Sequence, residues 1–592
     1  SVETGLPGEW EICHGMTVRV HLTAPDGTEG RWKELKVPMP ERKEEEDGFT
    51  LLGVRKLTTV FRLEKPVLWE LENPALYLAT AVLCVNGEEK DRMTVRFGIR
   101  DIRFDAERGF LLNGKAVKLK GACCHQNHGG LGTALPDEIY RYRIRKLKEM
   151  GANSYRTAHY PPSPAFLDIC DEEGMLVMDE TRLLSSEKGD LEQLETMVKR
   201  DRNHPCVILY SLGNEEAQTQ TTEEGGRIAG TMIRHVKRLD PYTPVTMALI
   251  MSDLKNRVPI TDIGRVAGIS EQLDVAGFNY WSAMWPVHHA AYPSQPMVCT
   301  EQGAFRCTRG CYETEEEKCH LAVTDESFGG YMTGAAQWHA CRPEWMSGVH
   351  IWTGFDYYGE PKPYKWPAIS SQPGAMDLCG FPKDPYYYYQ SWWTDKDVLH
   401  IFPHWNWEKG TVRDMYVFSN CDEVELAVNG RSLGRKHMEQ DGFLKWEQVV
   451  FEPGELTGTG FRRQDGKLVE VIRQSVKTTG SAEAVRLTEE YREKDILVVR
   501  AEIVDSAGAV VPDGNDEITF EVTGGRVLGT SNGDPSDHTP PNGPVRRAFH
   551  GLAQAIIRLD EGKIAPGSYE VRAVSGTVKD GKCSGKGTWK GK

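Results

Sequence analysis

Two glutamates at the ends of apolar segments are the residues of this sequence best suited to acid–base chemistry. Glu215 ends the stretch CVILYSLGNE at 206–215, and Glu301 lies in PMVCTEQG at 296–303. Two carboxyl groups in one cleft can cleave a glycosidic bond, because one protonates the leaving oxygen while the other attacks the anomeric carbon or activates water. Either glutamate alone could equally cap a helix or pair with an arginine. The chemistry therefore depends on a fold that brings the two together.

The segments around these glutamates alternate between buried strands and amphipathic helices. The strand candidates are 117–125, 153–158, 175–180, 206–215, 244–250, 275–281, 296–303 and 348–355. Eight such strands within residues 105–397 are typical of a catalytic (β/α)8 TIM barrel. An open doubly wound sheet would be expected to carry a glycine-rich phosphate turn after an early strand, and the sequence has none.

Helix boundaries can also be predicted for two of the intervening segments. In 136–151, Tyr140, Ile144 and Leu147 share one face, Pro136 suits the first turn and Gly151 suits the C-terminal cap. The segment 163–174 has a serine that suits an N-cap, a proline next and a glycine as its stop.

In a barrel, chemistry takes place at the carboxyl ends of the strands, where the βα loops build the pocket. Glu215 ends the fourth strand candidate and Glu301 closes the seventh, and these strands face each other across the barrel mouth. We therefore expect both side chains to reach into one cleft. Glu216 should point away from it, because side chains alternate along a strand.

Short alternating strands separated by turn residues predict β-sandwich domains on both sides of the barrel. An immunoglobulin-like sandwich is expected at 1–104, from strand candidates at 17–25, 48–53, 76–85 and 93–100. After the barrel, the predicted units are a β-sandwich at 398–482, a second C-terminal immunoglobulin-like domain at 483–576 and a basic tail at 577–592.

Composition excludes several classes of function. The formal net charge of −15 argues against nucleic-acid and anionic-membrane partners, which require clustered Lys and Arg. No stretch approaches the roughly 18 apolar residues that cross a bilayer. The 14 cysteines are scattered without zinc-type spacing or a disulfide framework, which favours buried thiols in a reducing, cytoplasmic setting.

The order of motifs between 66 and 395 resembles glycoside hydrolase family 2, the group of β-galactosidases, β-glucuronidases and β-mannosidases. The motifs are PVLWELENPALY, FGIRDIRFD with GFLLNGKAVKLKG, RTAHYPP, MLVMDE, SLGNEE, CTEQG and WTGFDYYGEP. The resemblance implies a retaining exo-glycosidase, with Glu215 as general acid/base and Glu301 as nucleophile of a double displacement. The alternatives are a β-glucuronidase of the same family and a non-catalytic carbohydrate-binding subunit.

The resemblance also implies a set of sugar-binding residues. Asn214 is expected to hydrogen-bond the sugar 2-hydroxyl, and Arg156 to orient Glu301 and keep it ionised. Tyr280 could hydrogen-bond the same glutamate, and Trp352 could form an apolar wall for the sugar ring. The other residues expected to line the pocket are His125 and His159.

Neither a metal nor another cofactor is expected. Some β-galactosidases of this family bind magnesium through an acidic residue and a histidine after the third strand, but the stretch DETRLLSSEKG at 179–189 contains no histidine. The run HQNH at 125–128 lacks a third ligand of matching context.

A neutral sugar, most simply a β-galactoside, is expected over a glucuronide. Glucuronide recognition in the family is associated with an Asn-x-Lys element after the last barrel strand, and the comparable stretch 370–390 contains Lys383 without that element. A buried carboxylate with no cation would be costly to bind. Family members usually begin with a jelly-roll domain, and by this resemblance the sequence is expected to begin after it, either because the protein is truncated or because a second chain supplies that surface. Besides the carbohydrate, the expected partners are therefore a second copy of the chain, or a second chain that supplies the missing surface.

Overall fold

The computed structural model describes residues 15–37, 55–250, 268–303, 305–325, 331–563, 565 and 568–584, with short strands at 2–4, 252–253 and 258–259. The strand candidate at 48–53 and the tail beyond 584 lie outside these residues. Among the described helices, none combines the length and apolarity that a bilayer crossing requires.

A closed barrel of eight parallel strands forms the centre of the molecule. Its strands, in order around the barrel, are β1 Leu119–Cys123, β2 Ser154–Arg156, β3 Leu176–Glu180, β4 Val207–Asn214, β5 Val245–Ile250, β6 Ala276–Asn279, β7 Met297–Gly303 and β8 Met346–Trp352. Each predicted strand segment overlaps one of them, so the predicted (β/α)8 fold is confirmed. The strands read as apolar runs because both of their faces are buried.

Helices cover the outside of the barrel. Their bounds are α1 Asp137–Met150, α2 Pro164–Glu173, α3 Lys188–Asp201, α4 Glu223–Leu239, α5 Trp285–Ala291, α6 Tyr331–Ala340 and α7 Asp384–Trp393, with single 3₁₀ turns at Ser282–Met284 and Glu316–Lys318. α1 ends at Gly151 in the left-handed conformation, as predicted. Ser163 occupies the N-cap position of α2, but its side chain makes no capping bond.

An antiparallel sheet precedes the barrel. Its strands lie in the order Lys33–Lys36, Met16–Thr23, Tyr77–Val85 and Glu88–Phe97. A smaller sheet of Ile102–Asp105, Gly109–Leu112 and Lys115–Ala116 leads into β1, and Val2–Thr4 pairs with Arg55–Leu57. The indole of Trp69 is fully buried and donates to the Asp171 carbonyl on α2, which ties this part of the chain to the barrel.

Two further β-sandwiches follow the barrel. The first stacks Leu399–Phe402, Val412–Ser419 and Leu444–Val450 against Arg431–His437, Glu423–Val428, Glu455–Gln464 and Lys467–Lys477. The second combines Ala484–Glu493, Ile496–Val504, Leu552–Leu559 and Gly525–Ser531 with Val545–Arg547, Glu517–Thr523, Glu570–Val574 and Gly581–Ser584. Each sandwich encloses its own apolar core.

The last sheet extends into the segment that the sequence assigns to a basic tail. Gly581–Ser584 pairs with Glu570–Val574 in an antiparallel register that sets Cys583 opposite Val571. The sequence does not predict this strand, because the lysines around it give the segment the composition of a solvated terminus. Described residues up to 584 therefore belong to the final sandwich.

Candidate active site

Glu215 and Glu301 line the same cavity, of about 140 Å³, at the carboxyl end of the barrel. Glu215 follows the last residue of β4, and Glu301 is part of β7. His159, Asn214, Tyr280 and Trp352 also line it. The structure thus brings together six of the eight residues that the sequence assigns to the site.

A distortion at the end of β4 turns Glu215 into the cavity. The pairing of β4 with β5 shifts register between Ser211 and Asn214, and Gly213 between them has a φ of 148°, which favours glycine. Glu215 itself has a φ of 52°. Glu216 does not line the cavity, and its carbonyl accepts hydrogen bonds from the next helical turn. A turn, rather than strand alternation, therefore separates the two glutamates.

Glu301 is held by two donors on opposite oxygens. Nη1 of Arg156 lies 2.8 Å from Oε2, and the Tyr280 hydroxyl lies 2.5 Å from Oε1. The guanidinium is completely buried, and although burial lowers its pKa, the charges of Glu180 and Glu301 hold that pKa well above its usual value. The Glu301 carboxyl, which is 4% exposed, thus faces a fixed cation through a charge-assisted hydrogen bond.

The Glu215 carboxyl has the opposite electrostatic setting. Burial is the main factor that raises its pKa to about 7, and the negative charge of Glu301 raises it further. The amide of Asn279 donates to Oε1 over 2.9 Å and lowers the pKa only in part. At neutral pH a large share of Glu215 is therefore protonated, which is the state that a general acid needs.

Asn214 connects the two carboxyl groups through hydrogen bonds. Its Oδ1 accepts from Nη2 of Arg156 over 2.8 Å and from Nδ2 of Asn279 over 3.0 Å. The Thr300 hydroxyl donates to Oδ1 of Asn279 over 2.6 Å and so fixes the orientation of that amide. No described residue accepts from the amide N–H groups of Asn214, so these groups are placed to donate to a ligand.

Glu180, at the end of β3, anchors Arg156 from behind. It accepts from Nε of Arg156 over 2.8 Å and from the Ser211 hydroxyl over 2.8 Å, and it lies 2.8 Å from Nδ1 of His159. Burial raises its pKa, but the charge of Arg156 and the bond with His159 outweigh burial and leave the pKa below its usual value. Sequence reasoning missed Glu180 and Asn279, although both are the last residues of barrel strands.

The aromatic residues form one wall of the site. The rings of His159 and Trp352 stack with centroids 5.1 Å apart. His125 is not among the residues lining the cavity and packs behind that wall, against Trp352 and Tyr357. Burial, and then the neighbouring His159, lower the pKa of His125 to about 4, so its ring is neutral. Arg156 likewise does not line the cavity. It contributes to the site through its hydrogen bonds to Glu301 and Asn214.

Loop residues that sequence reasoning missed complete the rim. Arg306 follows β7, and Tyr357, Glu360 and Lys362 follow β8. Lys362 pairs with Glu360 over 2.5 Å. Arg306 has no hydrogen bond or ion pair to any residue that the structure describes. Loop positions of this kind carry no periodic signal, so the sequence could not have identified them.

Lys383, the lysine of the stretch 370–390 that lacks the Asn-x-Lys element, is buried and does not line the cavity. Its ammonium donates to the carbonyls of Cys307 and Gln372 and to the carboxylate of Asp356, at 2.7, 3.2 and 2.7 Å. Because all three ammonium protons have acceptors, Lys383 is committed to the packing beneath α7 and not to a ligand.

One cluster has ligand atoms close enough for a metal ion. In the described chain, Asp171, His204 and Cys206 have their ligand atoms within 4.8 Å of one another. Their contacts are structural, since Asp171 lies 2.6 Å from Nδ1 of His204 and accepts from the Cys206 N–H over 3.0 Å. The cluster lies just before β4, at the end of the barrel away from the two glutamates.

Family models match most of the described chain. Residues 106–188 and 184–364 match the TIM barrel domain of glycosyl hydrolases family 2, residues 16–100 match a second domain of glycosyl hydrolases family 2, and residues 481–584 match the family's C-terminal domain 5. Residues 410–470 match a domain of unknown function. A relative named beta-galactosidase BoGH2A from Bacteroides ovatus is 34% identical, over 90% of this chain and 68% of its own length. The chain belongs to glycoside hydrolase family 2.

Two further matches are less similar in sequence. A beta-glucuronidase from Formosa agariphila is 24% identical over 90% of this chain, and the chain spans 54% of that relative. The solved structure of a beta-glycosidase from Bacteroides vulgatus superposes with a TM-score of 0.77 at 27% identity, covering 96% of this chain and 74% of that one. This family 2 chain is therefore a glycoside hydrolase, with relatives named for two different sugars.

Proposed function

We propose that the protein is a retaining exo-β-galactosidase. The observation that carries this proposal is the contrast between two carboxyl groups in one cavity: Glu301 accepts hydrogen bonds from the Arg156 guanidinium and the Tyr280 hydroxyl, whereas burial raises the pKa of Glu215 to about 7. Two neighbouring carboxyl groups in such different environments can divide the roles of nucleophile and acid. A cavity of about 140 Å³ fits a terminal sugar better than the interior of a chain.

In the first step, an oxygen of Glu301 attacks the anomeric carbon while Glu215 gives its proton to the leaving glycosidic oxygen. Both Glu301 oxygens already accept protein hydrogen bonds, which favours direct attack over activation of a water molecule. In the glycosyl-enzyme ester the charge of Glu301 is gone, so the pKa of Glu215 falls. Glu215 then takes a proton from water, the water attacks the anomeric carbon, and Glu301 leaves with its charge restored.

A neutral sugar is supported by the burial of Lys383, which leaves the pocket without that cation. A specific observation favours the second candidate, a β-glucuronidase. Arg306 lines the cavity without a described partner, and Lys362 lies at its rim. A sugar carboxylate could bind such a guanidinium in a bidentate manner.

Turnover of 4-nitrophenyl β-galactoside against 4-nitrophenyl β-glucuronide separates these candidates. We expect the galactoside to be preferred, and Arg306→Gln to leave its kcat/KM within a few-fold. A preference for the glucuronide that disappears in Arg306→Gln would replace the galactosidase assignment.

Glu301→Gln tests the nucleophile. We expect it to abolish turnover while retaining sugar binding, because the amide keeps the shape but cannot attack. Proton NMR of the native reaction should show the β-anomer as the first product. Unchanged hydrolysis in the variant, or a first product with the α configuration, would contradict the mechanism.

A further inference from the structure

A second cavity, of about 320 Å³, lies between the loop after β8 and the last β-sandwich. The loop contributes Tyr358, Trp366 and Ile369, and the sandwich contributes mainly polar residues between 530 and 546. Mixed aromatic and polar cavities of this size at domain interfaces are common ligand sites. None of the proposed catalytic residues lines this one.

A single hairpin separates the two cavities. Tyr357–Tyr358 pairs with Ser370–Ser371 in antiparallel register. Tyr357 and Ser371 line the catalytic cavity, whereas Tyr358 lines the second cavity. The loop between the two strands carries Lys362 at the first cavity and Trp366 at the second. A ligand in the second cavity would therefore lie beside the catalytic one.

Trp366 presents a large aromatic face to solvent. Its side chain is 76% exposed, which is unusual for a tryptophan that contacts no partner protein. The ring of His538 packs beside it with centroids 4.3 Å apart, and that histidine bonds the Pro367 carbonyl over 2.7 Å. A residue of the C-terminal sandwich therefore holds the indole in place. An exposed aromatic face of this kind can pack against the C–H groups of a sugar ring.

The polar wall of the cavity suits hydroxyl groups and disfavours anions. Oδ1 of Asp534 accepts from the N–H and hydroxyl of Ser536, while Oδ2 has no hydrogen bond to a described residue. Burial raises the pKa of Asp534, but the bonds from His320 and Ser536 leave it below its usual value, so the group is ionised. The charge of Arg546 is neutralised by Asp537 at 2.6 Å. The Oδ2 atom of this carboxylate can accept from a ligand hydroxyl, and its charge repels a second carboxylate or a sulfate.

We propose that this interdomain cavity binds a neutral β-linked saccharide, with Trp366 as the stacking face and Asp534 as a hydroxyl acceptor. The inference rests on the proposed function, because the saccharide is taken to be part of the glycan whose terminal sugar enters the catalytic cavity. It gives the C-terminal sandwich a role in holding substrate.

Calorimetric titration of β-1,4-galactotetraose tests this site. Glu301→Gln serves as the non-hydrolysing background, and Trp366→Ala is added to it. We expect affinity to fall tenfold or more. The matched control is Tyr242→Ala, since that tyrosine is 88% exposed and lies in neither cavity, and it should change affinity less than twofold. Unchanged affinity in Trp366→Ala, or no binding of the tetrasaccharide to the background protein, would overturn the proposal.

A kinetic measurement keeps the two proposals apart. In the otherwise native chain, Trp366→Ala should leave kcat/KM for 4-nitrophenyl β-galactoside within twofold, because a single sugar does not reach the second cavity. An equal loss on the aryl galactoside and the tetrasaccharide would mean that the hairpin is distorted, and would overturn the site. If the proposed function is wrong, the native chain will not hydrolyse the aryl galactoside. That result does not affect the calorimetric titration, which still tests the saccharide site by itself.

Discussion

At the scale of single residues, the two glutamates differ because their neighbours differ. Glu301 is paired with a buried guanidinium, whereas Glu215 accepts from a neutral amide and, among the described residues, from no cation, and it faces the charge of Glu301. This asymmetry assigns the proton to Glu215, and it leads to two predictions about that residue.

Glu215→Ala should affect substrates according to their leaving groups. We expect kcat/KM for a disaccharide to fall by about 10²–10⁴, the usual contribution of general acid catalysis, because its leaving alcohol needs a proton. A 2,4-dinitrophenyl β-glycoside leaves without protonation and should lose far less. Steady-state kinetics on both substrates checks this, and equal losses would rule out the acid role.

The pH dependence of kcat/KM should follow the protonation of Glu215. Because the acid must be protonated and its pKa lies at about 7, kcat/KM for a disaccharide should decline as pH rises through that value. The residual activity of Glu215→Ala on the dinitrophenyl substrate should lack this alkaline limb. Retention of the same limb in the variant would assign it to another group.

At the scale of elements, the strands were predictable and the loops were not. Parallel barrel strands are apolar on both faces, so each appears in the sequence as a continuous run, and its end marks the site. Glu180 and Asn279 could have been found by the same strand-end rule. Arg306 and Lys362 could not, because tertiary contacts rather than local periodicity set the path of the long loops after β7 and β8.

β3 also contains a carboxyl group whose protonation can be tested. Asp179 is completely buried, and neither of its oxygens receives a hydrogen bond from a described donor. Burial, followed by the charge of Asp201, raises its pKa well above the usual value. Arg200 pairs with Asp201 rather than with Asp179, which leaves Asp179 as the carboxyl group expected to hold a proton.

We therefore expect Asp179→Asn to fold normally and to alter the pH dependence of stability. A raised pKa means that the folded state holds a proton that the unfolded state releases above its own pKa near 3.8. Native stability from this group is then present at low pH and declines as pH rises. Thermal melts at pH 6 and pH 9 should show a smaller fall in Tm for the variant. An equal fall in the variant and the native chain would indicate that Asp179 is ionised.

At the scale of the whole molecule, a buried arginine fastens the last sandwich to the barrel. Arg309 donates to Asp377 over 2.6 Å, and its Nη2 donates to the carbonyls of Asn532 and Phe549 over 2.8 Å. Burial raises the pKa of Asp377, and Arg309 partly offsets that effect. The pair thus joins two loops of the barrel to the C-terminal domain.

Arg309→Leu should weaken this junction by about 3–5 kcal/mol, the usual cost of removing one partner of a buried ion pair. Differential scanning calorimetry should then resolve an early transition of the final sandwich. Adding Asp377→Asn should recover part of the loss, because the uncompensated charge is removed. A single transition at the native temperature would mean that other contacts hold the domains together.

Arg309 lies only three positions along the chain from Arg306, which lines the catalytic cavity. We therefore expect a change in the contacts between Arg309 and the final sandwich to affect the catalytic cavity through this short stretch of backbone. Chimeras that exchange this sandwich between related hydrolases should change substrate affinity, even though the exchanged part contributes no lining residue to that pocket.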